Sequence, residues 1–358
     1  MNNITEQEKL FVLLSMCEIP NKKQEKLLNS LEEFTIDALF KDNCADILST
    51  EEIKRLASTY DRQTFESSIQ NMIDSGIVIL TVLSDDYPKR LIDLPDRPMI
   101  LYTKGDLSLF DKTSIAMVGT RMPTNYGRMM TEKFADELAS SGFVIISGLC
   151  YGVDEIAHRK TLEVGGKTIA VVGSGFQNIY PSTNTPLSQE IAEKGLLVSE
   201  YYPSFRPKKY TFPQRNRIVA GLSDGVLITE AGAKSGTVHT KEFALEYGKD
   251  VFAVPGNINS PKSELPNIMI KSAQAECVLS PSDIVEFYGL EKKAKQQKTF
   301  TLNIEEQTII NLLKDGEQDY EVLVIKSKIP VNILNSYLTT LEIRGLIRRL
   351  PGKIYALA

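Results

Sequence analysis

Residues 201–217, YYPSFRPKKYTFPQRNR, hold five aromatic and five cationic side chains and no acidic one, although the whole chain has a net charge of -5. Single-stranded nucleic acid is bound by this mixture, because cations pair with phosphates while aromatic faces stack on bases. We therefore expect four of these side chains to contact nucleic acid: Lys209, Phe212, Arg215 and Arg217. Tyr201 and Tyr202 directly follow an apolar run, so packing in a core or against a second subunit is at least as good an explanation for those two rings.

Three loops rich in small residues each lie between an apolar run and a helical pattern: GTRMPTNYG (119–127), SGLCYGVDEIAH (147–158) and AGAKSGTVHT (231–240). The start of a helix offers free N–H groups and the positive end of a dipole, and both attract anions. Arg121 adds a planar guanidinium that suits phosphate. We expect the three loops to form a floor for phosphate, with close packing of helices on strands as the alternative reason for their glycines.

The two most specific nucleotide-binding motifs are missing. No G-x-G-x-x-G follows the first apolar run of the series, and the G-K-T at 166–168 has Thr161 where a phosphate-binding loop has its first glycine. We therefore expect no nucleotide cofactor. Asp154 and His158 are four residues apart, but His239 is the other histidine of only two, so we expect a structural role for His158 and no metal site.

Glu200 and Glu230 each end an apolar run that points to the same edge of the expected sheet. Two such carboxylates can act as a general acid and a general base. Carboxylates at strand ends also cap loops and pair with arginines such as Arg215, and we favour this second role.

The acidic charge is concentrated in the first 75 residues, which carry 14 acidic and 8 basic side chains, whereas residues 300–358 carry 7 of each. The middle of the chain is therefore free to form a basic groove. The four cysteines form no C-x-x-C pair, which argues against a zinc ribbon or a disulfide framework. The polar N-terminus and the lack of a long apolar run predict a soluble, cytoplasmic protein with no membrane segment.

Residues 76–290 are expected to form the main domain, because short apolar runs there alternate with helical patterns. Six runs are apolar throughout: SIAMVGT, FVIISGL, KTIAVVG, LLVSE, GVLITEA and DVFAVPG. Such strands need cover on both faces, which parallel βαβ units provide. The pattern predicts an α/β fold with a Rossmann-like, doubly wound, mainly parallel sheet whose ligand lies at the carboxyl ends of the strands.

The flanking regions have different patterns. Residues 1–75 contain short amphipathic helices such as EQEKLFVLLSMCEI and no strand pattern, which predicts a small helical module of the SAM or helix-hairpin-helix type. Residues 291–299, EKKAKQQKT, are typical of a linker. Residues 300–358 predict three helices followed by a two-stranded ribbon, which is a winged-helix-like arrangement.

Seven motifs occur in order between residues 114 and 261: VGTR with PTNYG, SGLCYGVDEIAH, TIAVVGSGFQNIYPSTN, LVSEYYP, FPQRNRIVAGLS, TEAGAKSGTVHT and VFAVPGNINSP. Together with the lead-in YPKRLIDLPDRPMILYTKGD, they resemble the DNA-processing protein A family, which is also called DprA or Smf. The resemblance implies a homodimeric binding protein with no cofactor and no catalytic residues. It implies that the protein holds incoming single-stranded DNA during natural transformation and loads the RecA recombinase onto that DNA.

The resemblance also implies a set of DNA-binding residues, in which Arg121 and Thr124 would contact phosphate. The full set is Gly119, Thr120, Arg121, Thr124, Gly148, Gly152, Lys209, Phe212, Arg215, Asn216, Arg217, Ser235 and Gly236. The chain departs from the family pattern at Leu265 and Ala273, where glycines are expected. The resemblance therefore does not extend to the local backbone after Pro261 or to any pocket wall that it forms.

Two other functions compete with this interpretation. Nucleotide phosphoribohydrolases of the lysine-decarboxylase-like group have a similar sheet, but they carry P-G-G-x-G-T-x-x-E, and AKSGTVHTKE lacks the paired glycines. A regulator that binds duplex DNA through its winged helix would need net positive charge, whereas residues 300–358 are neutral overall. The sequence therefore favours a single-stranded DNA-binding recombination mediator that is not an enzyme.

Overall fold

The computed structural model describes residues 4–41, 44–290, 302–314, 316–350 and 352–357. The predicted linker at 291–299 lies outside the described residues. Two compact units divide the chain, Met1–Lys293 and Ala294–Ala358. Within the described ranges, each helix is too short or too polar to cross a lipid bilayer.

Five α-helices precede the sheet in the described part of the chain: α1 (Glu6–Met16), α2 (Asn21–Ser30), α3 (Ile36–Lys41), α4 (Thr50–Thr59) and α5 (Arg62–Asp74). Helix α1 begins with a capping box in which Thr5 and Glu8 satisfy each other's backbone N–H groups. Its middle residues, from Leu10 to Leu14, are fully buried. They share one apolar core with Ile79 and Tyr102 of the sheet. The helical region predicted before residue 76 is therefore packed onto the sheet within the first unit.

One mixed sheet forms the centre of the first unit. Its strands in the described residues are β1 (Val78–Thr81), β2 (Ile100–Gly105), β3 (Ser114–Val118), β4 (Val144–Ser147), β5 (Lys167–Val172), β6 (Leu196–Ser199), β7 (Gly225–Ile228), β8 (Asp250–Ala253) and β9 (Glu276–Cys277). Their spatial order is β1-β2-β6-β5-β4-β3-β7-β8-β9. The strands from β3 to β9 pair in parallel, while β2 runs antiparallel to both β1 and β6. The six predicted parallel strands are β3 to β8, so this prediction is confirmed.

Helices cover both faces of the sheet: α6 (Lys89–Ile92), α7 (Asn125–Ser140), α8 (Val153–Glu163), α9 (Thr185–Lys194), α10 (Thr211–Leu222), α11 (Thr237–Glu246), α12 (Glu264–Lys271) and α13 (Pro281–Phe287). Neighbouring residues of β3 show the two-sided burial, because Ala116 packs in the core that contains Ile218 of α10, while Ile115 packs in the core that contains Phe134 of α7. The doubly wound, Rossmann-like prediction is confirmed. The chain proceeds outward from β3 to β6 and then returns to β7 on the other side of β3. The switch point, where such folds bind ligands, therefore lies between β3 and β7.

The second unit contains α14 (Ile304–Lys314), β10 (Gln318–Asp319), α15 (Tyr320–Ser327), α16 (Val331–Ile343), β11 (Ile347–Leu350) and β12 (Ile354–Leu357). Its core includes Ile309, Leu323 and Leu338, one residue from each helix. The strands pair antiparallel in the order β10-β12-β11. The predicted three helices and ribbon are present, and the short strand β10 adds a third strand that the sequence pattern did not indicate.

The two departures from the family pattern lie in and after α12. Leu265 is buried in the core beneath that helix. Ala273 has φ 53°, and the N–H groups of Ala273 and Gln274 donate to the carbonyls of Ile270 and Met269, which closes the helix in a Schellman motif. Ala273 therefore adopts the left-handed conformation that favours glycine, at a cost of about 1 kcal/mol.

Candidate nucleic-acid interface

A cavity of about 670 Å³ opens at the carboxyl ends of the central strands, and we call it the shelf. Loops after β3, β4 and β7 contribute its floor, as the sequence analysis expected. Ten of the thirteen predicted site residues line it: Gly119, Thr120, Arg121, Gly148, Lys209, Phe212, Arg215, Asn216, Ser235 and Gly236. The shelf therefore lies at the switch point, and residues from four separate segments meet there.

Cations and rings lie side by side on the shelf. Arg121 and Lys209 are exposed, and neither forms an ion pair with the residues that the structure describes. The guanidinium carbon of Arg121 lies 5.9 Å from the centroid of the Phe212 ring. Tyr180, which is 51% exposed, places its ring centroid 5.5 Å from that of Phe212. The arrangement offers phosphate-binding charge beside two rings on which bases can stack.

The opposite wall of the shelf is polar and open. A Cβ atom at Gly236 would meet no atom within 4 Å, so a ligand has room to approach the backbone there. The side-chain amide of Asn216 donates to the carbonyl of Gly236 at 3.4 Å. Lys262, which does not line the shelf, donates to the hydroxyl of Thr120 at 3.3 Å, so its charge lies next to the loop of Arg121. The wall at Gly236 therefore adds hydrogen-bonding groups.

Arg215 lines the shelf, but its charge is used inside the protein. The side chain is 2% exposed, and its guanidinium donates to the carbonyls of Gly148 and Val171. A Cβ atom on residue 148 would lie 2.3 Å from that guanidinium, so Gly148 is needed to admit the arginine. The predicted contact between Arg215 and DNA is not supported by this burial. Arg215 and Gly148 instead hold the floor of the shelf in place.

Arg217 does not line the shelf. Helix α10 begins at Thr211, so residues 212–217 form the first part of a helix. Successive helical residues point about 100° apart, so Arg217 points in a different direction from Asn216 and lies at a separate cavity. It pairs with Glu200 and lies 3.8 Å from Asp96. Burial acts to lower the pKa of Arg217, but these two carboxylates outweigh it and raise the pKa, so the guanidinium remains charged.

Thr124 and Gly152 support the loops from outside the shelf. Thr124 caps α7, and its N–H and hydroxyl donate to the carboxylate of Glu230 at 2.8 and 2.7 Å. Gly152 has φ 78° and lies against the backbone of Arg121. Glu230 is 1% exposed. Its two hydrogen bonds to Thr124 cap the loop, which is the role that the sequence analysis favoured over acid–base catalysis, although the partner is Thr124 rather than Arg215.

Asp154, which lines the shelf, and His158 are both buried. Burial raises the pKa of Asp154, and the nearby charge of Arg215 acts against this rise. The ring nitrogen Nδ1 of His158 lies 2.7 Å from the hydroxyl of Thr168, which itself donates to the carbonyl of Ile145. Burial, with the charge of Arg215, lowers the pKa of His158 to about 3. The imidazole is therefore neutral, and Thr168 is its hydrogen-bonded neighbour.

Sequence reasoning missed two residues that line the shelf, Tyr180 and Lys208. Tyr180 belongs to the quoted motif TIAVVGSGFQNIYPSTN, but it is separated from Phe212 by more than a whole βα unit. Lys208 is next to the predicted Lys209. Its amino group lies 2.6 Å from the carboxylate of Glu18 and 5.0 Å from the ring centroid of Phe205. The hydrogen bond to Glu18 raises the pKa of Lys208.

Comparison with known proteins identifies two regions. A family profile described as DNA recombination-mediator protein A matches residues 77–289, and a DprA winged helix domain matches residues 293–353. The chain is 34% identical to DNA processing protein DprA of Bacillus subtilis over 280 residues, which is 77% of this chain and 94% of that protein. It is also 34% identical to Protein Smf of Escherichia coli over 304 residues, which is 82% of this chain and 81% of that protein.

Two solved structures are similar as well. DNA processing protein A of Streptococcus pneumoniae matches with a TM-score of 0.68 and 32% identity, covering 81% of this chain and 99% of that one. DNA processing protein A of Helicobacter pylori matches with a TM-score of 0.55 and 36% identity, covering 59% of this chain and 95% of that one. The second structure is described in terms of the single-stranded DNA binding mode of that protein.

Proposed function

The chain belongs to the DNA recombination-mediator protein A family, and from this premise we propose that it binds single-stranded DNA on the shelf. The observation that carries the proposal is the grouping of Arg121, Lys209, Phe212 and Tyr180 around one open cavity. A flexible strand can splay its bases onto the two rings while its phosphates meet the cations. The binding mode described for the Helicobacter pylori relative supports the same ligand class.

The residues of the shelf would have different roles in DNA binding. Arg121 and Lys209 would contact phosphate, Phe212 and Tyr180 would stack on bases, and Ser235, Gly236 and Asn216 would line the opposite wall. The buried Arg215 would act by holding the floor, and Arg217 would take no part on the shelf. Thr124 and Gly152 would position the Arg121 loop from below.

Charge reversal tests the shelf directly. Arg121→Glu or Lys209→Glu should weaken binding of an oligo-dT in a fluorescence anisotropy titration by at least tenfold, because each replaces a phosphate partner with a repelling charge. Lys112→Glu is the matched control: Lys112 is also exposed but precedes β3, at the opposite edge of the sheet. Normal binding by both shelf variants, with wild-type melting temperatures, would place the DNA elsewhere.

RecA loading and homodimer formation are the further parts of the proposal, and the family resemblance supports them. Wild-type protein should shorten the lag of RecA ATPase activity on single strands covered by single-strand-binding protein, and Lys209→Glu should fail to do so. Light scattering should give twice the mass of one chain, and a monomer at micromolar concentration would contradict the homodimer.

We also propose that the protein acts by binding rather than by catalysis. Glu230, one of the two carboxylates considered above for acid–base catalysis, already accepts two hydrogen bonds from Thr124. Purified protein should leave nucleoside monophosphates intact. Release of free base that is lost in Glu230→Gln would favour the phosphoribohydrolase alternative instead.

A further inference from the structure

A second cavity, of about 470 Å³, lies between the N-terminal helices and the sheet, and we call it the side pocket. The segment Phe205–Tyr210 contributes side chains to both cavities. Helix α10 also separates them, since Phe212 and Asn216 line the shelf while Gln214 and Arg217 line the side pocket. The two cavities are therefore neighbours across a thin wall.

Aromatic rings form much of the side pocket. Tyr201 and Phe205 stack with their centroids 4.6 Å apart and their planes at 20°, and Tyr210 and Phe243 add two further rings. The cavity volume is in the range of small-molecule sites, which are mostly apolar with a few placed polar groups. Flat ligands suit such walls, because a planar ring can stack on the aromatic side chains and a branched aliphatic group cannot.

Two buried polar atoms belong to residues of this pocket and lack partners among the residues that the structure describes. They are the side-chain oxygen Oε1 of Gln24, a hydrogen-bond acceptor, and Nη1 of Arg217, a donor. Gln24 is 3% exposed and Arg217 is 7% exposed. Both atoms are almost fully enclosed. Buried polar groups are normally hydrogen-bonded, so a ligand edge that carries a donor and an acceptor would pair with both atoms after a shift of the two side chains toward the cavity.

Charge distinguishes which part of a nucleotide could enter. Glu18, Asp96 and Glu200 line the side pocket together with Arg217 and Lys22. Three carboxylates disfavour a phosphate inside it, whereas a neutral base is tolerated. Lys208, which lines the shelf, reaches Glu18 of the side pocket and could hold a phosphate between the two cavities.

We propose that the side pocket is a second nucleobase subsite, which receives a base from the same single strand that occupies the shelf. The proposal rests on the proposed function. A nucleobase has two flat faces for the rings and an edge that carries both a donor and an acceptor. The strand crosses segment Phe205–Tyr210, leaves its phosphate at Lys208 and inserts one base between the N-terminal helices and α10.

Photocrosslinking tests the subsite. The probe is oligo-dT in which thymidines are replaced by 5-iododeoxyuridine, with adducts located by mass spectrometry after irradiation. We expect adducts on shelf rings, Phe212 or Tyr180, and a second set on Tyr201, Phe205 or Tyr210. Gln24→Met should abolish the second set, keep the first and weaken oligonucleotide binding roughly fivefold or more, the effect of losing one stacked base. Gln70→Met, an exposed glutamine of the same helical region, is the matched control.

The outcomes separate this proposal from the proposed function. Adducts on the shelf alone would overturn the side pocket and leave the shelf intact, whereas adducts in neither place would overturn the proposed function. Equal labelling of the side pocket by free 5-iododeoxyuridine would show a nucleoside site independent of the strand, which also overturns the subsite. If Gln24→Met lowers the melting temperature, Tyr210→Leu at the 49% exposed Tyr210 provides the same comparison.

Discussion

Glu18 should weaken DNA binding in the wild-type protein, and Glu18→Gln should strengthen it. The carboxylate lies 2.6 Å from the amino group of Lys208, and both side chains are about two-fifths exposed (40% and 42%). Lys208 lines the shelf, so a phosphate that approaches this lysine must displace Glu18. The N-terminal helical region thus supplies an internal competitor for DNA.

The expected magnitude follows from the exposure of the pair. An exposed ion pair contributes about 0.2–1 kcal/mol, so removal of the carboxylate should lower the dissociation constant by roughly 1.5- to 5-fold. The salt dependence should change as well. One more lysine becomes available to release a counterion from single-stranded DNA, so the log–log slope should become steeper by about 0.7.

The assay is an anisotropy titration of oligo-dT at several salt concentrations. Glu25→Gln is the matched control, since Glu25 lies in the same helical region and pairs with Arg97 at 3.0 Å, and Arg97 does not line the shelf. Equal gains in both variants would mean that only the overall charge of the region matters. An unchanged affinity and slope in Glu18→Gln would mean that Lys208 does not contact phosphate.

Two further predictions concern stability. Arg215→Met should lower the free energy of unfolding by about 3–5 kcal/mol in urea titrations, because it leaves the buried Asp154 without its neighbouring charge, and a loss below about 1 kcal/mol would contradict this account. The pKa of His158 is about 3 in the folded protein, compared with 6.5 for an unperturbed histidine. The unfolded chain therefore takes up a proton first as the pH falls, and the stability that is present above pH 6.5 is lost on acidification. Between about pH 7 and about pH 5, His158 should lower the free energy of unfolding by about 2 kcal/mol. This loss should disappear in His158→Asn. Asp154 contributes in the opposite direction, but it does so in both proteins and cancels in the comparison.

The sheet and the location of the shelf could be predicted from the sequence because both depend on strand pattern. A run such as SIAMV is apolar at every position, so it must be covered on both faces, and parallel strands bring their carboxyl ends to one edge. That logic placed Gly119, Arg121 and Gly236 together. The short strand β10 escaped prediction because two residues, Gln318 and Asp319, carry no alternation.

The directions in which the side chains of Arg215 and Arg217 point could not be predicted in the same way. Charge counted over residues 201–217 does not tell which side chains face a ligand, and the start of α10 at Thr211 decides this. Arg215 turns inward to backbone carbonyls, and Arg217 turns toward Glu200. These partners lie between 17 and 67 residues away in sequence from the arginines that they contact, so only the assembled fold shows that the two charges are already used.

The continuous core between α1 and the first two strands affects how this protein can be dissected. Ile79, Ile100 and Tyr102 lie under the N-terminal helices, and each is less than 9% exposed. A shortened chain that starts near residue 76 would expose this apolar surface to water, and exposed apolar surfaces promote aggregation. Loss of DNA binding in that fragment would then reflect aggregation rather than a missing contact with DNA. Single substitutions on the outer side of these helices are therefore a better test of what the N-terminal region contributes.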